Sequence, residues 1–157
     1  MSLASPKPAA IDGAALKFGI AAARFNGELV DALLARTEAT LHAAGVSPKN
    51  VTVVRVPGSH EVPWAAQQLA QRGKRDCVIA LGVLIGGDTN HHEMVGESVS
   101  HALQQVALTT GVPVINGVIV TGTTAQARAR TTGEINRGAE FGQAALAMAA
   151  LRKELSR

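Results

Sequence analysis

Cys77-Val78-Ile79-Ala80-Leu81-Gly82-Val83-Leu84-Ile85 is the longest apolar run in the chain, and Gly86-Gly87 ends it. Without polar alternation, such a run reads as a strand buried on both faces, as at the centre of a parallel sheet. Toward the N-terminus, Val62, Ala65, Ala66 and Leu69 form a helical face. Pro57-Gly58 separates that helix from the β-branched strand Val51 to Val56. Leu29, Leu33, Thr37 and Leu41 share one stripe of a helix predicted over 28–44, with Gly45 suited to end it. Lys17 to Ala23 reads as the first strand. Toward the C-terminus, Asn90 with Glu93 three residues later resembles a capping box. The helix it opens runs to Thr110 and closes at Gly111. Val112 to Val120 is strand, and two helical segments follow, the last over 136–155. Strand and helix alternating four times predict an α/β fold of three layers, α/β/α, on a four-stranded parallel sheet.

The bulk properties fit one domain. The chain has 157 residues, 46% of them hydrophobic and 17% charged. That length supports one core without disulfides, and that apolar content excludes disorder. The domain is expected over 17–157, after a Pro/Ala-rich, loosely held segment over 1–16. The single Cys77 forms no internal disulfide and fits a reducing cytosol. No run reaches the roughly 18 apolar residues of a bilayer span, so no membrane partner is expected. Net charge is +3, with Arg and Lys scattered. Three Phe, one Trp and no Tyr leave little for base stacking, so nucleic acid is not expected as a partner. So few aromatics also leave a core of Ala, Val, Leu and Ile.

In a parallel α/β sheet, ligands sit beyond the carboxyl ends of the strands. Four loops therefore matter, and all are polar or Gly-rich. Gly86 to Glu93 combines glycines, which let a backbone approach a ligand, with a helix start whose N–H groups favour an anion. An ordinary βα turn with a capped helix is the competing reading. No Gly-x-Gly-x-x-Gly or Walker pattern occurs, so no nucleotide cofactor is indicated. His91 lies in the first helical turn beside this loop, where an imidazole serves as general acid/base or is simply solvated. Val56 to Pro63 holds Ser59, His60 and Glu61 between two prolines; the polar trio suits a polyol or caps the next helix. Arg24-Phe25-Asn26-Gly27 offers Phe25 as a platform for a flat heterocycle or as cover for the core edge. Thr121 to Thr124 precedes Arg128, Arg130 and Arg137, residues suited to a phosphate or to a solvated surface.

Taken in order, these loops resemble the lumazine synthase (6,7-dimethyl-8-ribityllumazine synthase) family. The match starts near Phe18. It runs through 23–26, 56–63, 80–85, 87–91, 113–118, 126–130 and 136–140. The resemblance implies a flavodoxin-like fold and a cytoplasmic transferase of riboflavin biosynthesis. That enzyme condenses 5-amino-6-(D-ribitylamino)uracil with 3,4-dihydroxy-2-butanone 4-phosphate, with no metal and no cofactor. Phe25 would stack on the pyrimidine. Asn26, Ser59, His60 and Glu61 would hold the ring and ribityl chain, with Val83 and Ile85 among the substrate contacts. Gly87, Asp88 and Thr89 would hold the phosphate with Arg130, and His91 would move protons. His91 and Arg130 are then the catalytic pair. The resemblance also implies a homo-oligomer, a pentamer or a sixty-subunit icosahedral shell, with Asn116 and Arg137 supplied by the adjacent chain.

The sequence departs from the family pattern at several positions. The family usually has Arg where Gly86 stands. It commonly has aromatics at the positions of His60, His92, Met94 and Asn116, and Lys at that of Arg137. The turn over 131–135 is one residue shorter. Two other classes compete with the enzyme reading. One is a binder or storage shell for flavin or lumazine; the other is a metal hydrolase built on His60, Glu61, His91 and His92. The helical spacing is poor for metal, since adjacent residues diverge by about 100°.

Overall fold

The computed structural model describes residues 9–156. The expectation for residues 1–8 lies outside the described residues. Four strands run in parallel: β1 (Phe18–Ala23), β2 (Val51–Val56), β3 (Cys77–Ile85) and β4 (Val114–Thr121). Their spatial order is β2-β1-β3-β4. The helices are α1 (Gly27–Ala43), α2 (Val62–Gln71), α3 (His91–Thr110), α4 (Thr124–Thr131) and α5 (Arg137–Leu155). The order and the parallel sense give the predicted three-layer, flavodoxin-like arrangement.

Alternation along the central strands builds two cores. Phe18, Ile20 and Ala22 of β1, with Cys77, Ile79, Leu81 and Val83 of β3, face α1 and α5. Ala21 and Ala23, with Val78 and Ala80, face α2 and α3. The predicted stripe of α1, Leu29, Leu33, Thr37 and Leu41, is buried throughout. Burial pushes the Cys77 thiol up to about 12, so it stays protonated and inert.

Where α1 meets α5, glycines let the two helices come close. α1 crosses α5 at two glycines. Thr37 Oγ1 donates to the Gly138 carbonyl at 3.0 Å. A Cβ at Gly142 would stand 2.8 Å from Thr40 Cβ.

The boundaries sharpen at three points. α1 ends as expected, with Gly45 at φ 90 and the Val46 N–H donating to the Leu41 carbonyl at 3.1 Å. β4 starts two residues later than predicted, at Val114. The capping box at Asn90 does not form: the Asn90 side chain makes no capping bond. At φ −81 and ψ 18 its backbone is near-helical rather than extended, so the side chain is not aimed back at the first turn.

The segment ahead of β1 is fastened over its last residues. Leu16 is buried, and the Gly13 N–H donates to the Ala44 carbonyl at 2.7 Å. The Lys17 N–H donates to the buried Asp76 carboxylate at 2.7 Å. Lys153 Nζ stands 3.7 Å from that carboxylate, which ties the end of α5 to the same place.

Gly142→Val is expected to lower stability to urea by about 1–3 kcal/mol, because the added atoms meet α1. Gly27→Ala meets nothing within 4 Å in a helical turn and is expected to leave stability equal or higher. Equal midpoints for Gly142→Val and the parent chain would remove the helix crossing as a constraint.

Candidate functional site

From β1 the chain moves outward to β2, then crosses back over β1 to β3 and outward again to β4. The connections leaving β1 and β3 therefore diverge, and a crevice opens beyond their carboxyl ends. A cavity of about 400 Å³ lies there. It is lined by Phe25 and Asn26 after β1, and by Gly58, Ser59, His60 and Glu61 after β2. Val83, Leu84 and Ile85 at the end of β3, Gly87 and Thr89 of the next loop, and His91, His92 and Val95 of α3 complete it.

The β1 loop is fixed through its backbone. The Arg24 N–H donates to the Val56 carbonyl at 2.8 Å and the Phe25 N–H to the Pro57 carbonyl at 3.0 Å, which extends the ladder past the strand. Asn26 then takes a left-handed conformation at φ 55, which Asn tolerates better than most residues. Its Nδ2 donates to the Val83 carbonyl at 2.8 Å and so ties the loop to β3. With its backbone held, Phe25 is 74% exposed as a residue and lines the cavity. It is the one Phe, Tyr or Trp among the lining residues.

Ser59 opens a 3-10 turn, Ser59–Glu61, ahead of α2. It does not cap α2, which carries no side-chain capping bond. It is buried, with its Oγ 2.4 Å from where a Cβ at Gly82 would lie. Glu61 Oε2 accepts from the Gly58 N–H at 2.9 Å, while Oε1 stands 3.9 Å from His60 Nδ1. One carboxylate oxygen thus holds the loop, and the other faces an imidazole.

At the β3–α3 loop, Gly86 has no room for a side chain. A Cβ there would lie 2.8 Å from the Gly122 carbonyl oxygen and 3.1 Å from His92 Nε2. Its N–H donates to the Thr121 carbonyl at 2.8 Å, which closes this loop against the one after β4. Gly87 stands open on the cavity side. With no Asn90 cap, the first N–H groups of α3 are not taken up by that side chain. His91 is exposed; His92 is half-buried, with its Nδ1 buried and unbonded.

Four of the residues selected from sequence do not line this cavity: Asp88, Asn116, Arg130 and Arg137. Asn116 Nδ2 donates to Ser100 Oγ at 3.3 Å. Arg130 Nη1 donates to the Gln126 carbonyl at 3.0 Å within α4, and Arg137 pairs with Glu140. The lining therefore contains no Lys or Arg. Sequence reasoning did not select Gly58, Leu84 or Val95. Val95 had a readable signal, since it lies four residues after His91 on the same helical face. Among the described residues, no group of three His, Cys, Asp or Glu is placed to hold a metal ion. No helix there is long and apolar enough to cross a membrane.

Residues 15–153 match the family model for 6,7-dimethyl-8-ribityllumazine synthase. A protein of that name from Thermococcus onnurineus is 43% identical over 143 residues, covering 91% of this chain and 93% of its own. One from Xanthomonas axonopodis pv. citri is 41% identical over 131 residues, covering 83% and 85%. One from Pyricularia oryzae is 37% identical over 193 residues, covering 98% and 96%.

Asn26→Ala is expected to cost about 1–3 kcal/mol in urea unfolding, since it loses a bond and strains a left-handed residue. Asn26→Gly loses the same bond without the strain and is expected to cost less. If the two variants unfold alike, the backbone at Asn26 is not what holds the loop.

Proposed function

The chain belongs to the 6,7-dimethyl-8-ribityllumazine synthase family, and we propose how its residues divide the work of that activity. It is a transferase of riboflavin biosynthesis. It condenses 5-amino-6-(D-ribitylamino)uracil with 3,4-dihydroxy-2-butanone 4-phosphate to 6,7-dimethyl-8-ribityllumazine and releases phosphate. The domain that carries this is the one over 17–157.

In the proposed arrangement the pyrimidine stacks on the exposed Phe25 ring. Asn26, Ser59, His60 and Glu61 hold its polar edge and the ribityl hydroxyls, and Val83 and Ile85 form the apolar wall. The amine attacks the ketone, and loss of water gives an imine. Phosphate leaves by elimination, and closure of the second ring expels another water. Each step moves protons and needs the reactants held together, which is the work of a positioned imidazole and a shaped cavity. His91, at the cavity edge beside the open Gly87, is the proposed proton carrier. The backbone of Gly87, Asp88 and Thr89, in the loop just ahead of α3, receives the phosphate through its N–H groups.

The observation that carries the rest is the missing cation. Departure of phosphate needs its charge stabilised, yet no Lys or Arg lines the cavity of one chain. Asn116, Arg130 and Arg137 all lie on β4, α4 and α5, outside it. We therefore assign Arg130, with Asn116 and Arg137, to the cavity of a neighbouring subunit. Such a head-to-tail contact closes into a ring, here a pentamer, whether free or assembled into a sixty-subunit shell. A cytoplasmic setting fits the single buried thiol.

The test mixes two inactive variants. His91→Ala and Arg130→Ala are each expected to lose about 10²-fold or more in kcat/KM. Unfolded together and refolded at equal ratio, they are expected to regain about a quarter of parental activity, from sites that pair an intact His91 with a neighbour's intact Arg130. Recovery no greater than the sum of the two variants would place both residues in one subunit's site.

A further inference from the structure

α4 is an unlikely helix to hold still. It has eight residues, and only Ala127 and Thr131 are buried. Isolated helices of that length are marginal in water, so α4 depends on tertiary ties. Two arginine contacts tie it to α1, one with the arginine on each helix. Arg36 Nη1 donates to the Gly133 carbonyl at 2.9 Å and Nη2 to the Thr132 carbonyl at 2.8 Å. Arg128 Nη1 and Nη2 reach the two carboxylate oxygens of Glu28 at 3.1 and 3.3 Å.

We infer that Arg36 is a positioning residue for the phosphate-binding arginine. The inference rests on the reading above, in which Arg130 meets the phosphate of the second substrate. Thr132 and Gly133 end α4 and begin the turn to α5, the turn that is one residue short. Their carbonyls carry the negative end of the helix, and a guanidinium fork spans both with fixed geometry. The backbone there is tight: the Gly133 N–H donates to the Arg128 carbonyl at 2.8 Å, and a Cβ at Gly133 would stand 2.9 Å from Ala129 Cα. The fork therefore fixes the α4 terminus two residues after Arg130 and four before Arg137. α1 is a firm base for it, because its apolar stripe is buried and its opposite end adjoins Asn26. Arg36 does not line the cavity; it acts by setting where the α4 arginine stands.

Steady-state kinetics with each substrate varied in turn provides the test, on Arg36→Ala, Arg36→Lys and Arg130→Ala in the full chain. Arg36→Ala is expected to raise KM for 3,4-dihydroxy-2-butanone 4-phosphate on the order of tenfold, as displacement of a binding group does. KM for the aminouracil should stay within about twofold. Arg36→Lys, which keeps the charge but cannot span both carbonyls, should fall between. A merely structural role would reduce the amount of active protein, lowering kcat with both KM values unchanged. That result, or an unchanged phosphate-substrate KM where Arg130→Ala raises it, overturns the role of Arg36 alone. If Arg130→Ala leaves that KM unchanged as well, the reading of Arg130 falls, and this inference with it. If Arg36→Ala does not fold, the Lys variant decides by the same measure.

Discussion

Burial on both faces of the β1–β3 pair is the constraint from which the rest of the molecule follows. Two neighbouring parallel strands at the centre of a sheet can face helices on either side only if their side chains are apolar in both directions. Phe18–Ala23 is buried throughout, and β3 as far as Val83. Because the chain enters the sheet at β1 and returns at β3, the crossovers leave this pair in opposite directions. The crevice at its carboxyl end is a by-product of that topology, and the functional loops hang around it. On one side of this pair, Gly138 and Gly142 of α5 let α1 and α5 meet closely, and α4 lies beside them.

Much of this was legible in the chain because local chemistry and global burial agree. Val51–Val56 and Cys77–Ile85 were bounded to the residue, since β-branched or apolar runs ended by Pro-Gly and Gly-Gly leave one reading. Gly111 and Gly45 marked helix ends through their left-handed backbone. What failed was a side-chain detail: the Asn90 and Glu93 spacing has the form of a capping box, but spacing does not say what backbone angle Asn90 will take. The loops of the cavity were legible for the same reason as the strands. Phe25, Asn26, Ser59, His60, Glu61, Gly87, Thr89 and His91 all follow strand ends, and strand ends converge.

The arginines were not legible in that way. Their residue type points to an anion, yet nothing local tells whether Arg130 reaches its own cavity or another. Arg36 was wholly invisible, because its partners lie 96 and 97 residues away in sequence. The single chain thus carries two unlike surfaces. One is a cavity with a ring platform and imidazoles but no Lys or Arg in its lining; the other is a helical corner that carries Arg128, Arg130 and Arg137 outside that lining. Each is chemically incomplete for a phosphorylated substrate, and their complementarity is the physical case for joining them between subunits.

The interlock of Gly82 and Ser59 has a further consequence for how such a site can change over descent. The Ser59 hydroxyl occupies space that exists only because position 82 bears no side chain. A lineage that enlarges residue 82 first drives the loop after β2 out of the crevice, and with it the polar trio. A lineage that shrinks or removes the side chain at 59 first opens a void against β3 but keeps the fold. The two positions therefore drift in a fixed order. A larger side chain at 82 fits only once position 59 has given up its hydroxyl, and with it the group proposed to hold the substrate.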